Sequence, residues 1–229
     1  MAEEDKVFPE KDTMEKREAR RRPIRSRNSG WARVCASFLA MRGIAPNTIS
    51  LFSMIFASLG GLCFVFSSEC SWLWLAGALL AQGRLLCNLF DGMVAVEGGR
   101  ASPLGELYND LPDRVSDSVI LICFGWGLPG WWGLLGWAAA LCAALTAYVR
   151  VLGASCGLPP CFVGPMAKQH RMALITVGAA VLAFLPADAS FPLRALILGT
   201  VIGGCMITVG RRLRIAAREL TQRADDDVR

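Results

Sequence analysis

The chain has 229 residues, 54% hydrophobic and 19% charged, with mean hydropathy +0.43 and formal net charge +5. Soluble domains average about 45–50% apolar and ~25% charged residues, so this balance points to a membrane protein and excludes a disordered chain. Nine cysteines, an odd number spread singly through apolar stretches without paired metal spacing, argue against a disulfide-stapled secreted module. Charge is concentrated at the ends. Residues 1–33 hold ten Lys/Arg and seven Asp/Glu, and residues 211–229 hold six and four. The middle, 34–210, carries eight of each and is formally neutral.

Residues 1–30 read as a charged, flexible cytoplasmic segment. Its basic run Arg20-Arg21-Arg22-Pro23-Ile24-Arg25-Ser26-Arg27 suits anionic lipid, at about 1 kcal/mol per Lys/Arg near such a surface. A nucleic-acid arm is the competing reading of such a run. Because this run is tethered to a membrane core, membrane lipids are the expected partner and nucleic acid is not. In the next stretch Trp31, Val34, Cys35, Phe38 and Leu39 follow helical spacing, which predicts an interfacial amphipathic helix.

A spanning helix needs ~20 mostly apolar residues. Six candidates lie near 48–67, 72–96, 111–128, 131–153, 172–187 and 192–210. The predicted fold is therefore an all-α integral membrane domain over 31–210, with six transmembrane helices behind the interfacial helix. The first candidate is not read as a cleaved signal peptide, since a long charged segment precedes it. Connections containing Arg100, Lys168 and Arg171 alternate with connections bare of Lys and Arg, although Arg194 closely follows a bare one. This alternation predicts both termini in the cytoplasm. Trp72, Trp74, Trp126, Trp131 and Trp132 fall near the bare ends, as an aromatic belt would. Residues 211–229 form a basic, then acidic, cytoplasmic tail. Gly60-Gly61, Gly77, Gly133, Gly136, Gly199 and Gly203 read as helix packing contacts.

Nine of the sixteen charges in the middle lie between Arg84 and Asp117. Ionisable groups at membrane depth are costly and face a cavity or a partner. Asn88 and Asp91 stand i,i+3 at the end of the second span. Asn109, Asp113 and Asp117 stand i,i+4 at the start of the third. Gly98-Gly99 allows a turn between them. An antiparallel helix pair brings both oxygen-rich stripes together, and such a pair suits a hard cation such as Mg²⁺. Local ion pairing, as between Asp110 and Arg114, accounts for one pair only. Asp117 either completes the polar cavity or pairs with Arg84.

The segment from Asn88-Leu-Phe-Asp91-Gly92-Met-Val-Ala95-Val96, through eight residues, to Gly105-Glu-Leu-Tyr-Asn109-Asp-Leu-Pro-Asp113 resembles the CDP-alcohol phosphotransferase signature. That signature is D-x-x-D-G-x-x-A-R, eight residues, G-x-x-x-D-x-x-x-D. Spacing agrees throughout, and Asp91, Gly92, Ala95, Gly105 and Asp113 agree in identity. Asn88 and Asn109 stand where the signature has aspartates, and Val96 where it has arginine. The stretch with Pro46-Asn47 entering the first span, and Gly164-Pro-Met-Ala-Lys168-Gln-His-Arg171, resemble further family segments.

The resemblance implies a membrane phosphotransferase that uses a CDP-lipid such as CDP-diacylglycerol, a small alcohol acceptor and Mg²⁺ (or Mn²⁺). Asn88, Asp91, Asn109 and Asp113 would form the metal site, and Asp113 would also be the general base. Substrate-side roles fall to Asn47, Gly92, Ala95 and Gly105, with Arg100 in place of the signature arginine. Arg150, Lys168 and Arg171 would hold an acceptor phosphate. The expected assembly is a homodimer, and the expected location is a bacterial inner membrane. Asn88 and Asn109 keep open an alternative, a catalytically silent relative that binds CDP-lipid or serves as a partner subunit. The intramembrane charges alone would also suit a small transporter.

Overall fold

The computed structural model describes residues 29–97 and 105–227. Residues 1–28, 98–104 and 228–229, and with them the N-terminal basic run and Arg100, lie outside the described residues. The described residues form seven α-helices and no strand. They are α1 (Gly30–Met41), α2 (Pro46–Val65), α3 (Trp72–Glu97), α4 (Gly105–Gly125), α5 (Leu134–Ser155), α6 (Lys168–Leu182) and α7 (Ala187–Asp227), with a 3-10 turn at Gly130–Gly133.

Helix ends follow local chemistry. Pro46 opens α2, where its missing N–H costs nothing. Helix α1 ends at Gly43, whose φ of 74° is open to glycine. The Gly43 N–H donates to Ala40 O at 3.0 Å and the Ile44 N–H to Leu39 O at 3.2 Å, a Schellman closure. Gly157 closes α5 in the same way. Helix α6 stops at Leu182, short of the expected 187, and Pro186 follows it. Helix α4 begins at 105, earlier than the expected 111, because its first turns are polar and hydropathy does not register them. Helix α7 runs past 210 without a break. No Gly or Pro follows Gly210, and the Arg/Ala/Leu composition favours helix.

Four helical segments are long and apolar enough to cross a membrane: Pro46–Val65, Trp72–Ala95, Gly130–Ser155 and Ala189–Asp226. Helix α4 carries too much charge for that criterion, and α6 has only 15 residues. All six helices nevertheless pack as one closed ring, in the order α2, α4, α5, α7, α6, α3 and back to α2. Helix α1 lies outside this ring on α3. It buries Ala32 and Ala36 against Leu89, Met93 and Val94, and turns Trp31, Val34 and Phe38 outward.

Small residues let the ring close. A Cβ on Gly125 would stand 2.7 Å from the Gly136 Cα, and one on Gly77 would strike the Phe64 ring. Gly199 and Gly203 face open space instead. The close contact on α7 is made by Gly204 against Met166. At the ring end opposite the charges, Phe64, Trp74 and Phe124 stack with centroids 5.4–5.6 Å apart. Trp74 is therefore a core residue and not part of an exposed belt, because it lies two positions from Trp72 and faces inward. Trp72, Trp126, Trp131 and Trp132 are exposed. Arg194 is buried at the same end. It donates to the Phe124 carbonyl at 2.9 and 3.0 Å and to the Trp126 carbonyl, and lies over the Trp74 ring. It satisfies the last carbonyls of α4 and is no loop charge.

Candidate active site

The charges gather at the other end of the ring, where α2, α4 and α6 begin and α3 and α5 finish. Helix α3 runs antiparallel to α2 and α6, so its last turns meet their first turns. Ser50 Oγ of α2 donates to Asp91 Oδ2 of α3 at 2.7 Å. Gln82 of α3 donates to Thr176 Oγ1 of α6 at 2.7 Å. About two turns nearer the site, Lys168 Nζ donates both to Asn88 Oδ1 of α3 and to Asp113 Oδ2 of α4.

Beneath this contact lies a layer of buried ion pairs. Arg84 has no solvent exposure. Its Nη2 donates to the Asp113 carbonyl at 3.0 Å and to Asp113 Oδ1 at 3.2 Å, and pairs with Asp117 Oδ1 at 2.8 Å. Asp117 Oδ2 accepts from Arg171 Nη2 at 2.9 Å. Arg171 also donates to Thr146 Oγ1 and to the Met166 carbonyl. Of the two readings of Asp117, pairing with Arg84 is present, and Arg171 is a second partner. Each ion is held by at least one opposite charge, as burial demands.

At the rim, Arg150 donates to both Asp110 oxygens at 2.9 and 3.2 Å, and Arg114 lies 3.5 Å from the same carboxylate. Arg150 remains a quarter exposed. Arg171, by contrast, is 1% exposed, with its Nη1 and Nη2 on Thr146, the Met166 carbonyl and Asp117 and its Nε without a partner. It braces α6 against α4 and α5 and does not reach the rim where Arg150 lies. Lys168 turns inward towards the carboxylates. Asn47 is half-buried at the start of α2, one turn before Ser50. Gly92 is buried and Ala95 half-buried on α3. Gly105 and Asn109 lie in the first turns of α4. Ser50 and Thr146 were not anticipated. The i,i+3 spacing of Ser50 from Asn47 in the first turns of α2 is the signal that points to Ser50.

The donor set limits what cation can bind. Among the described residues no three His, Cys, Asp or Glu side chains converge. Asp113 and Asn88 are already occupied by Lys168, and Asp91 Oδ2 by Ser50. Asp91 Oδ1 is the one buried carboxylate oxygen at the mouth of this set without a partner. Asp91 itself is 3% exposed. Among the described side chains, these fit one hard cation at Asp91 and do not fit a pair.

Apolar helices closed around a buried ionic centre that opens at one end define an integral membrane protein with the makings of an enzyme site. The chain belongs to the CDP-alcohol phosphatidyltransferase family, whose pattern matches residues 43–210. It is 28% identical over 195 residues to a phosphatidylinositol phosphate synthase of Streptomyces avermitilis, across 80% of this chain and 77% of that one. It is 29% identical over 111 residues to an archaetidylinositol phosphate synthase of Pyrococcus horikoshii, across 48% of this chain and 54% of that one. Its fold is that of the Mycobacterium tuberculosis phosphatidylinositol phosphate synthase. The crystal structure of that enzyme with CDP-DAG bound matches with TM-score 0.68 and 19% identity, over 81% of this chain and 92% of that one. Its complex with manganese and citrate matches with TM-score 0.69 and 19% identity, over 81% and 88%. Family and relatives put the chain among the phosphatidyltransferases of phospholipid biosynthesis.

Proposed function

We propose that the protein moves a phosphatidyl group from a CDP-linked lipid, CDP-diacylglycerol first among candidates, to the hydroxyl of a small phosphorylated alcohol, releasing CMP. The observation that carries this is the convergence of Asn88, Asp91 and Asp113 from two helices at one buried centre, joined by Lys168. In this reading Asn88, Asp91 and Asn109 underlie the donor pyrophosphate. Gly92 and Gly105, without side chains, let the nucleotide approach the backbone. Asn47 and Ala95 border the same space, and Arg100 supplies the arginine that Val96 lacks. Mg²⁺ or Mn²⁺ at Asp91 would offset the negative charge of the pyrophosphate. Asp113, oriented by Arg84 and Lys168, takes the proton of the acceptor hydroxyl. The acceptor oxygen bonds to the lipid-side phosphorus as the bond to CMP breaks. Arg150, a quarter exposed at the rim and held there by Asp110, is the arginine we assign to an acceptor phosphate.

An inositol phosphate heads the acceptor candidates because both relatives carry that group in their names. Glycerol 3-phosphate and serine follow. The test is CMP release by the detergent-purified protein with CDP-diacylglycerol, Mg²⁺ or Mn²⁺ and a panel of alcohols. Release that depends on one alcohol supports the reading and names the acceptor. No release with any alcohol, together with thermal protection by CDP-lipid, supports the silent relative. The occupation of Asp113 by two cations is what favours that second reading.

We read all six ring helices as crossing the membrane, with both termini cytoplasmic, in a bacterial inner membrane and as a homodimer. Ring closure supports this for α4 and α6: their polar turns face neighbouring helices, where buried polar groups find partners. The outward apolar face of α1 supports an interfacial position.

A further inference from the structure

We infer that the Lys168 ammonium is a built-in cation of the reaction centre, standing on the acceptor side where two-cation phosphoryl-transfer sites hold a second divalent ion, so that the chain binds one divalent cation, at Asp91. This rests on the phosphotransferase reading above.

Displacement at phosphorus develops charge on both the attacking and the leaving oxygen, and a common solution is one metal ion for each. Here the three carboxylates of the centre already have three cations beside them, and buried Arg212, spent on the Val163 and Thr146 carbonyls, adds positive charge nearby. Among the described residues, Asp91, Asp113 and Asp117 are matched by Arg84, Lys168 and Arg171. A centre neutral in itself tolerates one divalent ion alongside a bound pyrophosphate and resists two. Asn88 adds an oxygen donor without charge.

The placement of Lys168 is unusual enough to need a reason. It is the first residue of α6, where the helix dipole disfavours a cation. A lysine there gains most by reaching into water. This one turns inward instead and donates to Asn88 and Asp113, one from each of the two site helices. It thus occupies the oxygens that a second metal would need. Asp91 Oδ1, buried and without a partner, is left for the single metal ion.

The test counts Mn²⁺ bound to the full-length, detergent-purified protein by electron paramagnetic resonance, with and without saturating CDP. One Mn²⁺ per chain with CDP is expected, and two or none overturns the inference. In Lys168→Gln the freed oxygens and the lost positive charge should add a second Mn²⁺ or tighten the first by about tenfold. A Lys168→Gln protein that melts at the wild-type temperature with unchanged stoichiometry and affinity also overturns it. If that variant does not fold, the wild-type count decides. CMP release is followed in the same samples. Two Mn²⁺ with release defeats this inference alone, whereas one Mn²⁺ without release from any alcohol defeats the enzymatic reading alone.

Discussion

Asp113 and Asp117 stand one helical turn apart on α4 and are both buried, yet their surroundings assign them different work. Asp113 sits where the ionic layer meets the mouth of the site. Asp117 lies a turn deeper, between two arginines with little or no exposure. Asp113→Asn keeps one side-chain oxygen for Arg84 or Lys168, leaves Arg84 on the Asp113 carbonyl and on Asp117 and Lys168 on Asn88, and removes the proton acceptor. Turnover should fall by about 10²–10⁴-fold, the usual contribution of a general base, with the melting temperature little changed. Retained CMP release would remove Asp113 from that role. Asp117→Asn should do the reverse. It leaves buried Arg171 without its counter-charge and Arg84 with Asp113 alone, a change of a kind that costs about 3–5 kcal/mol. Thermal unfolding in detergent should report that loss, and an unshifted melting temperature would show that the arginines re-pair.

At the scale of helices, close approach is confined to particular glycines. Gly125 and Gly136 bring α4 and α5 together backbone to backbone, so Gly125→Ala has no flexible neighbour to displace. It should destabilise by about 1–3 kcal/mol, as overpacking does. Gly199→Ala meets open space on α7 and should leave stability unchanged or raise it by up to about 1 kcal/mol, the helix propensity difference. Melting temperatures of the pair separate the two outcomes. If both variants lose stability equally, the assignment of the α4–α5 contact is wrong. The i,i+4 glycines Gly199 and Gly203 resemble a packing motif in sequence. The motif alone does not say which face of α7 meets a neighbour.

For the whole molecule, the bundle separates an ionic end from an aromatic end, and the proposed topology gives each a side of the membrane. Native cysteines provide the test. Cys70 is exposed in the turn before α3, at the aromatic end, and Cys156 is exposed just after α5, at the ionic end. In variants retaining one of these cysteines, a membrane-impermeant maleimide added to intact cells should label Cys70 and spare Cys156. Inverted vesicles should reverse the pattern. Labelling of both from one side would mean an even number of crossings between them instead of the three proposed, and would overturn the six-span topology.

Much of this was legible in the chain. Apolar stretches specify where helices form, even with Pro112 inside α4 and Pro192 inside α7, because backbone hydrogen bonding and hydrophobic length are local properties. The spacing of Asn88, Asp91 and Asp113 likewise marks the site, since i,i+3 and i,i+4 positions share a face whatever the helix packs against. Hydropathy misjudges α4 because the same residues that make the site remove its apolar signal. Partnerships were not legible. Arg171 as a strut, Arg194 as a carbonyl cap, Trp74 as core and Ser50 on Asp91 all depend on which helix lies beside which. The inward turn of Lys168 depends on it too. A buried charge takes whatever counter-charge the ring brings near, and that is decided only when distant segments pack.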